Sequence, residues 1–93
     1  MVTSKTNRYR NVTIKNELGL HARSAAQIAK LVKNAKASVW LKKDDETVDA
    51  SSIVDILTLA CEKGSTVTIV IEDSADIDIL NAVADLVDSG FGE

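Results

Sequence analysis

Apolar positions along the chain change period several times, and each change marks an element. In NVTIKN (11–16), Val12 and Ile14 alternate with polar neighbours, the two-residue period of a half-buried strand. ELGL follows as a turn in which Gly19 can take positive φ at little cost. From about Ala22 to Lys33, Ala25, Ile28, Ala29 and Val32 recur at i, i+3, i+4 and i+7, opposite a polar face of Arg23, Gln27 and Lys30. That spacing predicts an amphipathic helix. ASVWL (37–41) and ETVDA (46–50) read as two strands joined by the polar turn KKDD. Ile53, Ile56, Leu57 and Ala60 repeat the helical spacing, with Ser51 and Ser52 as candidate N-caps and Gly64 as terminator. STVTIVI (65–71) alternates again, placing Val67, Ile69 and Ile71 on one face of a strand. A last helix starts at Ser74 or Asp76 and reaches about Ser89, buried through Ile79, Leu80, Val83, Leu86 and Val87. Asp76 and Asp78 in its first turn complement its dipole. The order β-α-β-β-α-β-α predicts the α+β class: a four-stranded antiparallel sheet with three helices packed on one face.

Composition narrows this picture. At 93 residues with 45% hydrophobic content, the chain suits one small domain with a real core. Tyr9, Trp40 and Phe91 are its only aromatics, so the core is aliphatic. Residues 1–10 are expected to form a flexible N-terminal extension, and 11–93 the domain. Cys61 stands alone in an apolar run and reads as a small buried hydrophobe, with no disulfide to make. One His and one Cys cannot assemble a zinc site, and neither metal nor cofactor is expected. No stretch approaches the ~20 apolar residues that cross a bilayer. MVTSKTNRYR lacks the apolar block of a secretory signal, so a cytoplasmic protein is expected.

Net charge is −3 but unevenly placed. Residues 1–43 hold ten basic side chains against one acidic, a local charge of +9, whereas residues 44–93 sum to −12. The basic half suggests an anionic partner. Nucleic acid is not expected in that role: the chain has no RNP, KH or helix-turn-helix signature and lacks exposed stacking aromatics.

The one histidine, His21, stands where the first helix begins. A helix start presents backbone N–H groups without intrahelical partners and about half a unit of positive charge, a natural seat for phosphate. Neutral imidazole is a competent nucleophile near physiological pH. A phosphoryl group on the ring can accept hydrogen bonds from the amides of Ala22 and Arg23, with the Arg23 guanidinium adding a charge-assisted bond. Taken alone, the same histidine would also serve as an ordinary helix cap.

GLHARSAAQIAKLV (19–32) resembles the active-site segment of the histidine-containing phosphocarrier family, HPr, of the bacterial phosphotransferase system. The family pattern Gly-Leu-His-(Ala/Thr)-Arg-Pro-Ala is met at Gly19, Leu20, His21, Ala22, Arg23 and Ala25, and the likeness continues through Ala26, Gln27 and Lys30. DASSIVDILTLACEKGSTVTI (49–69) resembles the family's second helix and following strand, and the similarity runs from about Val12 to Phe91. The resemblance implies an open-faced β-sandwich fold. It implies that His21 accepts a phosphoryl group on Nδ1 from phosphorylated enzyme I, the group originating in phosphoenolpyruvate. His21 then passes it to a histidine of an enzyme IIA protein or domain, in sugar uptake or nitrogen-related regulation. Such a carrier is a co-substrate of phosphotransferases; the sequence leaves the oligomeric state open, with a monomer favoured. By position, Leu20, Gln27, Lys30, Ile53 and Val54 would form the partner-binding surface, and Ser52 would match a regulatory serine modified by HPr kinase/phosphorylase in some bacteria.

Three departures from the family bear on these expectations. Ser24 replaces the usual proline, which predicts some loss of rigidity in the first helical turn. Asp55 brings a negative charge to the second helix, and Ser51 stands where lysine is common. Together with Ser52 they leave open an alternative in which the domain is a regulatory binding module, switched at Ser52 by added charge.

Overall fold

The computed structural model describes residues 8–93. Its first strand, β1 (Tyr9–Thr13), begins two residues before the expected start, so Tyr9 and Arg10 leave the proposed extension and pair with Val70 and Ile69. Residues 1–7 of that extension lie outside the described residues. Helix α1 (Ala22–Val32) follows, then β2 (Val39–Lys43) and β3 (Glu46–Asp49), whose turn is Asp44–Asp45 because Lys42 and Lys43 stay in the ladder. Helix α2 (Ile53–Thr58), strand β4 (Thr66–Ile71) and helix α3 (Ile77–Asp88) complete the order.

The four strands form one antiparallel sheet in the order β1-β4-β2-β3, with Val12 opposite Val67 and Leu41 opposite Ile69. Alternation sends Val12, Val39, Leu41, Val67, Ile69 and Ile71 to one face, where they are buried under Ile28 and Val32 of α1, Ile56 of α2, and Leu80, Val83 and Val87 of α3. Tyr9, Asn11, Trp40, Thr68 and Val70 stand on the opposite, uncovered face. This is the expected α+β open-faced sandwich. Losing a side chain such as Ile69, wholly buried in a central strand, costs about 2–5 kcal/mol on truncation to alanine.

One local expectation fails for a physical reason, and one residue takes on a further role. Helix α2 does not run to Gly64: it ends at Thr58, and Ala60 rather than glycine takes the left-handed conformation at φ 50°. The Lys43 ammonium donates to the carbonyls of Leu59 and Ala60, both at 3.3 Å, and so satisfies the helix end from the neighbouring hairpin. Gly64 instead donates its N–H to Ile14 O, joining the loop before β4 to the end of β1. Asp76, at the start of α3 as expected, does more than complement the dipole. It is 2% exposed and its carboxylate makes no cap to α3; it accepts from the amides of Lys36 (2.9 and 3.1 Å) and Ala37 (3.1 Å), pinning the α1–β2 loop to the start of α3.

Candidate functional site

The loop from β1 to α1 sets the site. Gly19 adopts φ 67° and donates to Asn16 O at 3.1 Å, closing a tight turn, while Leu20 N–H donates to Cys61 O at 2.9 Å. A Cβ on Gly19 would collide with that same Cys61 carbonyl, so both the backbone conformation and the close approach require glycine here. Leu20, expected at the docking surface, is turned into the core at 7% exposure by this anchoring.

The turn delivers His21 as the N-cap of α1 in extended conformation, φ −121° and ψ −178°. Its side chain is 28% exposed. Nδ1 accepts from the Arg23 amide at 3.3 Å, and Nε2 lies 2.6 Å from Glu93 Oε2. An amide N–H only donates and a carboxylate only accepts, so these two contacts together place the proton of the neutral ring on Nε2 and the lone pair on Nδ1. The lone pair therefore faces the helix start. There is no acidic residue in the first turn of α1, so its amides have no negative side chain of their own.

Ser24 does more than tolerate the loss of proline. It is fully buried, and its Oγ accepts from the His21 N–H at 2.9 Å. Its hydroxyl proton has His21 O (3.1 Å) and Gly19 O (3.3 Å) within reach. The expected loss of rigidity is thus offset by a side-chain cap that a proline cannot provide, the reciprocal arrangement of a capping box.

Glu93 is the residue that the sequence reading missed. It is 72 positions from His21, with nothing in local spacing to link them. Buried Phe91 anchors the C-terminal turn that carries it back to the site. Its second oxygen, Oε1, accepts from Asn16 Nδ2 at 3.1 Å. The His21 hydrogen bond first, and the Asn16 hydrogen bond second, hold the Glu93 carboxyl below its usual 4.5, with the nearby charge of Arg23 adding to the effect. Arg23 itself is exposed and its guanidinium makes no hydrogen bond or ion pair among the described residues. The site is a nucleophilic ring nitrogen beside helix-start amides, backed by a carboxylate and flanked by a cation.

Comparison with known proteins matches residues 9–89 to the family described as "PTS HPr component phosphorylation site". The chain belongs to the HPr family. It is 37% identical to the phosphocarrier protein HPr of Cupriavidus necator over 90% of this chain and 94% of that one. It is equally 37% identical to the phosphocarrier protein NPr of Klebsiella oxytoca, over 88% of this chain and 92% of that one. The crystal structure of HPr-C-His from Thermoanaerobacter tengcongensis superposes with a TM-score of 0.84 at 34% identity, covering 94% of this chain and 98% of that chain. A phosphocarrier role in the phosphotransferase system follows from that membership.

The other positions singled out by the HPr pattern fall into distinct places. Gln27 is half-buried and Lys30 exposed on α1. On α2, Val54 is 71% exposed and Ile53 39%, with Leu57 at 38% beside them. The apolar spacing of α2 therefore describes a surface more than a core, and only Ile56 within the helix is buried. Ser52 is the N-cap: its Oγ accepts from the Asp55 amide at 3.1 Å. Ser51 turns away to donate to Asp49 Oδ1 at 2.7 Å. Among the described residues, no three His, Cys, Asp or Glu side chains gather as metal ligands would, and no helix is long and apolar enough to cross a membrane.

Proposed function

We propose that His21 is the phosphoacceptor and that Nδ1 is the atom that carries the phosphoryl group. The observation that carries this reading is the pair of contacts that leaves the Nδ1 lone pair beside the Arg23 amide while Glu93 holds the Nε2 proton. In the accepting step the Arg23 amide gives up its hydrogen bond to Nδ1, whose pair then forms a bond to phosphorus as the phosphorus–nitrogen bond of phosphorylated enzyme I breaks. The donor imidazole keeps the electron pair of the broken bond. The His21 ring becomes a cation that retains its Nε2 proton, and the Glu93 carboxylate stabilises that charge. The phosphate oxygens take the amides of Ala22 and Arg23 and the Arg23 guanidinium. Delivery reverses the sequence. A histidine of an enzyme IIA protein or domain attacks phosphorus, the pair of the breaking bond returns to Nδ1, and neutral His21 leaves with its proton still on Nε2. An open, partly exposed seat of this kind keeps the bond reactive, as a carrier requires.

The partners dock on exposed Val54, Ile53 and Leu57 of α2, with Gln27, Lys30 and Arg23 of α1 as polar rim, and the carrier works in the cytoplasm as a monomer. Incubation with phosphoenolpyruvate and enzyme I of its own organism is expected to load an acid-labile phosphate that is absent from His21→Ala. Label persisting in that variant overturns the assignment.

A second reading, regulation by binding, draws on one observation: Ser52 caps a helix whose exposed face is apolar. A phosphate placed there by an HPr kinase/phosphorylase would set charge beside the docking patch. This reading predicts partner binding that survives His21→Ala and weakens in Ser52→Asp; unchanged affinity in Ser52→Asp counts against it.

A further inference from the structure

Asn16 has no part in the transfer step derived above, yet its placement asks for an explanation. It lies in the β1–α1 loop at 6% exposure, and its Nδ2 donates to Gly19 O at 2.8 Å and to Glu93 Oε1 at 3.1 Å. Both neighbours are acceptors, which settles the orientation of the amide. Its other end, Oδ1, is the one buried side-chain polar atom among the described residues that has no hydrogen-bond partner. A buried amide with an unpaired oxygen serves folding less well than an apolar side chain of the same size. Nor does the turn depend on it alone, because the Ser24 hydroxyl also lies within reach of Gly19 O. What no other side chain supplies is a hold on the second oxygen of the carboxylate whose first oxygen meets His21 Nε2.

We propose that Asn16 is a positioning residue acting through Glu93. It clamps the Glu93 side-chain carboxylate from behind, so that Oε2 stays on the Nε2 proton and the ring's lone pair stays on Nδ1. The need for a clamp follows from where Glu93 sits. It follows Gly90 and Gly92, both at positive φ, and beyond Phe91 no buried side chain among the described residues restrains it. A glutamate with free rotamers on such a glycine-flanked segment would spend much of its time in water, and one further hydrogen bond limits that freedom. The consequence for phosphoryl transfer rests on the reading of His21 as phosphoacceptor; the proton placement does not.

The test reads the unphosphorylated protein by NMR, as the exchange of the His21 Nε2 proton with water. Asn16→Leu is expected to speed that exchange about tenfold, as loss of one charge-assisted hydrogen bond allows. Glu93→Gln should speed it similarly, and the double variant should add little, because both residues act in one line. Wild-type exchange in folded Asn16→Leu, or additive effects in the double variant, would overturn the proposal. The wild-type protein offers a second readout that needs no substitution. As the Glu93 carboxyl is titrated with acid, the Asn16 side-chain amide signals should shift with the midpoint of that carboxyl. An Asn16 amide indifferent to that titration refutes the clamp. Neither result depends on phosphorylation, so failure here leaves His21 as acceptor untouched, and a His21 that took no phosphate would leave the clamp standing.

Discussion

Helices α1 and α2 begin with the same device and differ in what surrounds it. In each, an extended N-cap residue turns a side-chain acceptor back onto an amide of the first turn: His21 onto Arg23, Ser52 onto Asp55. The start of α2 is satisfied within three residues and has its own negative charge in Asp55. The start of α1 has no acid in its first turn, and its cap is held by Glu93, 72 positions away, with Asn16 of the preceding loop behind it. One end is electrostatically complete, and the other is left open to an incoming anion. On the proposed reading, a helix start becomes a phosphate seat through what it lacks locally and what residues outside the helix supply.

Making α1 resemble α2 is the harshest way to break the comparison. Ala22→Glu puts an acid into the first turn of α1, where it supports the helix by roughly 0.3–1 kcal/mol through the dipole. The same charge repels an arriving phosphoryl group, and the phosphorylation rate is expected to fall about 10–100-fold, equivalent to about 1.4–2.8 kcal/mol. Rapid-quench labelling with enzyme I measures the rate and thermal unfolding measures the helix; a rate within twofold of wild type would remove the electrostatic half of the contrast.

Cap deletions sharpen it further. Ser24→Ala strips a fully buried hydroxyl and leaves the His21 N–H unpaired, at a cost of about 2 kcal/mol. Ser52→Ala removes one more exposed cap, at about 1 kcal/mol. For a domain of this size each kcal/mol lowers Tm by about 4–8 °C. Calorimetry should rank the two variants in that order, and only Ser24→Ala should also slow phosphorylation of His21.

The smallest effect concerns acid. Glu93 has a carboxyl held below its ordinary 4.5 by His21 and Asn16, so its folded-state value lies under its unfolded one. Stability from this contact is therefore fully present above about pH 4.5 and lost as pH falls through the depressed value. Urea unfolding across pH 2.5–7, wild type against Glu93→Gln, should show a modest gap that closes on the acid side. A gap that widens there would mean that the carboxylate is not stabilised by folding.

The pattern of what could be read from sequence follows the same divide between local and distant. Strand β4 and helices α1 and α3 announced themselves because period and burial coincide along contiguous residues: Val67, Ile69 and Ile71 in one case, Ala25, Ile28 and Val32 in another. His21 was legible because the residues that place it, Gly19 to Ala25, are adjacent. Hidden were features set across the fold. Ala60 in a left-handed conformation is a choice that alanine rarely makes, and it is stabilised here by Lys43 from the hairpin. Asp76 reads from sequence only as a helix-dipole residue; that its carboxylate also takes the amides of Lys36 and Ala37 is set by the α1–β2 loop. Ser24 looked like a weakened proline because a hydroxyl aimed at the preceding cap is a three-dimensional fact. Glu93, 72 positions away, has no sequence signal tying it to position 21.

The central claim is that Nδ1 of His21 carries the phosphoryl group because Nε2 keeps its proton. Its most direct test is the one-bond coupling between phosphorus and nitrogen in the 15N-labelled protein, phosphorylated by enzyme I and phosphoenolpyruvate. The account predicts that coupling on Nδ1 of His21, with Nε2 still protonated. Coupling on Nε2, or on any other residue, would contradict it.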